Sequence, residues 1–144
     1  MRSRYNIFIS HAWTRTNEYD RIKDFLMDSR LNFADYSVPS TDPLNITART
    51  DASRDKQLED GIRNQISHSS VVIIIGGMFF YYRKWIQKEF EIAQEMDKPI
   101  VVVKPYGNRL MPIELKDKPN CIYVNWNGNS IREAVKEAIT NPLR

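Results

Sequence analysis

Within the stretch RKWIQKEFEIAQEM, residues 83 to 96, one acidic side chain stands where a hydrophobic one is expected. Projected at about 100° per residue, Ile92, Trp85, Met96, Ala93, Ile86 and Phe90 form the apolar stripe of an amphipathic helix, and Glu89 falls in its middle. A carboxylate on an inward face has two readings. It partners a buried Arg or marks the rim of the stripe, or it is kept in a pocket because positive charge must be opposed there. Trp85, one turn earlier on the same face, favours the second reading, since it would set an aromatic wall beside the acid.

Other familiar chemistries find no support. There is no GxGxxG and no GxxxxGK[ST], which sets aside Rossmann-type dinucleotide binding and P-loop phosphate transfer, and there is no GxSxG elbow. A phosphoacceptor receiver domain needs acidic residues after its first strand and an Asp ending its third; this chain has Ser-His and Gly-Gly there. One cysteine, Cys121, excludes an internal disulfide, and with two histidines it cannot make a zinc site of the usual kind. Asp42, Asp51 and Asp55 lack a metal-binding spacing, so no metal is expected.

The elements that must position Glu89 follow from the apolar runs. Strand-like runs occur at 5 to 10 (YNIFIS), 32 to 36 (NFADY), 70 to 77 (SVVIIIGG), 99 to 105 (PIVVVKP) and 121 to 126 (CIYVNW). Helical patterns lie between and after them, at 18 to 29, 55 to 67, 83 to 96 and 129 to 140. This alternation predicts an α/β fold with a parallel sheet, and the nearly pure Val/Ile composition at 71 to 75 and 100 to 103 marks strands buried on both faces. Right-handed crossovers make a flavodoxin-like three-layer sandwich, a five-stranded parallel sheet in the order 2-1-3-4-5, the simplest topology. Residues 106 to 120 read as loop. The connection from Tyr36 to about Lys56 also reads as loop, long enough to be functional.

In such sheets ligands bind beyond the carboxyl ends of the strands, where strand order reverses. That edge carries Ser10, His11 and Trp13 after the first strand, Asp35 and Tyr36 at the second, Gly76 and Gly77 after the third, and Pro105 after the fourth. Glu89 is expected in the early turns of the following helix, near the same edge. Glycines there permit close approach by a ligand, although a strand-to-helix turn needs them for steric reasons alone.

The chain has 144 residues, enough for a single domain spanning 1–144. Its charge of +3 is mild and scattered, so no nucleic-acid surface is indicated. No apolar run approaches the roughly 20 residues of a membrane helix, and the N-terminus lacks the apolar core of a signal peptide. A cytoplasmic location without membrane attachment is expected.

The segments YNIFISHAW, DYSVP, VVIIIGGM, W-I-x-K-E and KPIVVVKPYG together resemble the TIR-like domain of the bacterial Thoeris antiphage system, the ThsB-type family, distantly similar to Toll/interleukin-1 receptor domains. The resemblance runs from about Tyr5 to Ile139. Its most specific part is the Trp85-to-Glu89 spacing, which is similar to that of enzymatic TIR domains and implies that Glu89 is catalytic. It further implies an NAD glycohydrolase or ADP-ribosyl cyclase-like activity, with NAD as substrate and no resident cofactor. Infection, through a phage-derived trigger, would release a cyclic ADP-ribose-type signal that reaches a separate effector by diffusion.

Under that resemblance Ser10 and His11 would contact phosphate or ribose, and Trp13 and Phe79 would stack on a base. Asp35 and Tyr36 would border the pocket, and Arg49 and Arg54 of the long loop would meet the pyrophosphate. Each also has a structural reading, as helix cap, core aromatic, turn residue or solvated charge. The alternative function is a non-catalytic TIR-like adaptor that acts by self-association into a homo-oligomer.

Overall fold

The computed structural model describes residues 5–10, 21, 22, 24, 33–35, 51–105 and 110–140. Its strands are β1 (Tyr5–Ile9), β2 (Phe33–Asp35), β3 (Val71–Ile75), β4 (Ile100–Val103) and β5 (Cys121–Val124). Its helices are α1 (Asp51–Ser67), α2 (Phe79–Glu95) and α3 (Gly128–Thr140), with a 3-10 turn over Gly76–Met78. Arg21, Ile22 and Asp24, within the segment expected to be helical between β1 and β2, are helical as well.

All pairings are parallel, and the five strands run in the order β2-β1-β3-β4-β5. Every residue of β3 and β4 is fully buried, as unbroken Val/Ile runs require. In register, Ile73 pairs with Val101 and Ile75 with Val103, so the two apolar strands stack along their whole length. Complete burial of each such side chain is worth about 1.5–3 kcal/mol, which makes this pair the centre of the core.

Helices cover the sheet through stripes of matching period. In α1 the buried residues are Leu58, Ile62 and Ile66, and in α3 they are Ile131, Ala134, Val135 and Ala138. Helix α1 lies beside α2, and ion pairs cross between them from Asp55 to Lys84, Glu59 to Lys88 (3.5 Å) and Arg63 to Glu95. These pairs are exposed and align the helices more than they stabilise them. Helix α3 packs over β3, β4 and β5, and its first turn is capped by Asn127, whose side-chain oxygen accepts from the Ser130 N–H at 3.0 Å.

The end of α2 is a Schellman closure. Lys98 N–H donates to the Ala93 carbonyl and Asp97 N–H to the Gln94 carbonyl, with Asp97 left-handed at φ 55° where glycine is the usual occupant.

One expectation is corrected. Helix α1 starts at Asp51, four residues before the expected start, so Arg54 belongs to a helix and not to a loop. The polar sequence DASRD hides its period, yet its last residue, Asp55, pairs with Lys84 of α2. Helix α2 starts at Phe79, soon after Gly77 as expected, and Phe79 is fully enclosed. Residues 36–50, including Arg49, lie outside the described residues.

Candidate active site

Ser10, Gly76 and Gly77 converge at the carboxyl ends of β1 and β3, where the strand order reverses. The main chain of Ser10 extends the pairing by one step, its N–H donating to the Ile73 carbonyl at 2.8 Å. Its side-chain oxygen then accepts from the Ile75 N–H at 3.0 Å, and the residue is fully buried. Ser10 thus fastens the first strand to the third beneath the crevice. Removing that oxygen orphans a buried N–H, so Ser10→Ala is expected to lose about 1–3 kcal/mol of stability. An unchanged urea midpoint would contradict this role.

Gly76 is set by a different constraint. A Cβ built on it would stand 2.9 Å from the Val103 carbonyl oxygen and 3.3 Å from Pro105 Cδ. The missing side chain is space used by the end of β4, so the steric reading of this glycine suffices. Gly76→Ala must push two strand ends apart, at a cost of about 1–3 kcal/mol, measurable by denaturant unfolding.

Phe79 follows the glycines, and its ring is wholly buried with the Arg83 guanidinium 4.9 Å from the ring centre. In this form the ring belongs to the core. Asp35 ends β2, and its side chain lies outside the described residues, as do His11, Trp13 and Tyr36.

Trp85 and Glu89 share one face of α2. Trp85 is half-buried against the core, with the Lys84 ammonium 5.1 Å from its ring centre. Glu89 is 2% exposed, within the stripe formed by Ile86, Phe90 and Ala93. Since α2 begins at Phe79, Glu89 lies about 15 Å along the helix axis, in the third turn; the expected place in the early turns is corrected.

Its surroundings separate the two readings of a buried carboxylate. A structural acid in a core is held by a guanidinium, an ammonium or a set of donors. Glu89 Oε1 has no hydrogen-bond partner, and among the described residues no cation pairs with this side chain. Burial alone therefore pushes its carboxyl well above the ordinary value of 4.5 and favours the neutral form. The group that could do chemistry is committed to nothing else.

Glu89 does not line either of two cavities bounded by described residues. One, over the outer face of α2, includes Gln87, Glu91, Gln94 and Lys118. The other lies beyond the carboxyl ends of β4 and β5 and includes Lys104 and Lys116. Pro105, expected on the ligand-binding edge, lines the second, and what the sequence reading missed is that Lys104 and Lys116 share it. No group of metal-ligating side chains occurs among the described residues, and no described helix is long and apolar enough to cross a membrane.

A parallel sheet of this order, with Ser10 and the glycines at its switch point and an uncommitted acid on the following helix, defines a TIR-like α/β domain. The chain belongs to the Thoeris protein ThsB TIR-like domain family, whose model matches residues 8–109, well over half of it. Membership implies a part in Thoeris antiphage defence. No curated protein matches the chain significantly.

Proposed function

We propose that this domain cleaves NAD at the bond between nicotinamide and ribose, with Glu89 as the catalytic carboxylate, and passes the ADP-ribosyl group to a cyclic ADP-ribose-type product that acts on a separate effector. The observation that carries the reading is the buried, unpartnered Glu89 carboxyl four residues after Trp85, in a chain of the ThsB TIR-like family.

The chemistry asks little else of the protein. Nicotinamide leaves as a neutral molecule from a cationic nitrogen, so no general acid is needed, and positive charge builds on the ribose carbon as the bond breaks. One carboxylate suffices, whereas glycosidases with alkoxide leaving groups need a second carboxyl to donate a proton. A charge pair at about 4 Å with an effective dielectric near 20 is worth about 4 kcal/mol, near three decades of rate. Holding the ribose in place, with Glu89 accepting from its hydroxyls, supplies the rest, and a hydroxyl of the same ADP-ribose or water attacks the anomeric carbon.

Burial has a consequence for control. Burial favours the neutral form of Glu89, and the charge of the substrate favours the ionised one. A side chain only 2% exposed must also be uncovered before it meets a sugar, so the resting chain is expected to turn over slowly until a trigger or self-association opens the site.

The test is release of free nicotinamide from NAD by wild type, Glu89→Gln and Glu89→Ala, with and without an extract of infected cells. Cleavage by wild type that both variants lose supports the proposal. Cleavage that persists in Glu89→Gln would take the catalytic role away from Glu89, and no cleavage under any condition points to the adaptor.

A further inference from the structure

We propose that the cavity beyond β4 and β5 is a second ligand site, built to take a nucleoside phosphate. It encloses about 390 Å³, within the range of small-molecule pockets. Its walls combine three kinds of group: the ammonium groups of Lys104 and Lys116, the polar tips of Asp117 and Asn125, and an apolar side made by Met111 and the Tyr123 ring.

The two lysines differ from the cations that line the first two helices. Lys56, Arg63, Arg83, Lys84 and Lys88 each hold a carboxylate. Lys104 and Lys116 are exposed and, among the described residues, have no ion pair. Two ammonium groups against one carboxylate leave the cavity with surplus positive charge, which suits phosphate. Asp117 suits hydroxyl donors, as on a ribose, and the thioether and phenol ring suit the flat face of a base.

The cavity wall is already formed. The Tyr123 hydroxyl donates to the Leu115 carbonyl at 2.5 Å and accepts from the Lys118 N–H at 2.8 Å, so it ties the 115–118 turn to β5 and presents its ring as wall. Asp117 and Asn120 hold that turn with left-handed backbones at φ 53° and 62°. A ligand entering here has little chain to order. The site differs from the proposed catalytic one: it lies at the ends of β4 and β5, Glu89 does not line it, and it does not depend on NAD cleavage.

The test is calorimetric titration of the whole chain with ADP, adenosine and inorganic phosphate at low salt, using wild type, Lys104→Gln, Lys116→Gln and Glu89→Gln. Both lysines are exposed, so the lysine variants are expected to keep the wild-type circular dichroism spectrum and unfolding midpoint. ADP is expected to bind saturably, each lysine variant to weaken it about tenfold, and Glu89→Gln to leave that lysine-dependent binding unchanged. Adenosine is expected to bind far more weakly, and added salt to weaken ADP. Four results would overturn the proposal: no saturable ADP binding, ADP binding indifferent to both lysines, ADP binding lost only with Glu89, or phosphate binding as tightly as ADP.

Discussion

At neutral pH the Glu89→Gln protein is expected to be more stable than wild type, and the gap is expected to widen as pH rises. The sign follows from burial. Among the described residues Glu89 has no cation or donor to favour its charged form, and burial holds its carboxyl in the folded chain well above the ordinary 4.5 that it regains on unfolding. Below about pH 4 both states carry the proton, and Glu and Gln should be nearly equivalent. Above the ordinary carboxylate range the unfolded chain loses that proton while the folded chain retains it, and wild type loses about 1.4 kcal/mol for each pH unit. The loss ends where the folded carboxyl itself ionises. Gln has the same shape and no charge, so it escapes the whole effect. Paired urea titrations from pH 4 to pH 8 measure this directly; parallel curves for the two proteins would mean that Glu89 holds a favourable partner and is a structural acid. A residue that weakens the fold at working pH needs another reason to be there, and catalysis is such a reason.

How far the sequence reveals this depends on the range of the interactions. The runs at 71–75 and 100–103 declare themselves because strands buried on both faces need no partner to be recognised, and right-handed crossovers then leave few strand orders. Glu89 is also visible locally, since helical periodicity alone puts it on the inward face. What periodicity cannot show is whether a guanidinium waits there, because such a partner would come from elsewhere in the chain. The roles of Ser10 and Gly76 were hidden for the same reason. Whether the Ser10 oxygen meets a ligand or the Ile75 N–H depends on the register of strands more than 60 residues apart. Whether Gly76 is spared a side chain for a ligand or for the Val103 carbonyl depends on where β4 ends.

The same substitution carries the largest functional effect. If Glu89 opposes the charge that builds on the ribose, Glu89→Gln keeps its size and loses its charge, and cleavage is expected to fall by about three decades or more. Glu89→Asp keeps the charge on a side chain one methylene shorter and is expected to fall between the two. Because the variant should also be the more stable protein at neutral pH, lost activity cannot be assigned to unfolding. That combination, a firmer fold and no turnover, is not expected of a residue that merely fills the core.

The most direct measurement is therefore nicotinamide released from NAD by triggered wild type and Glu89→Gln, at matched concentrations of folded protein. The account predicts release by wild type and a rate at least several hundredfold lower for the variant. Equal rates in the two proteins would contradict it.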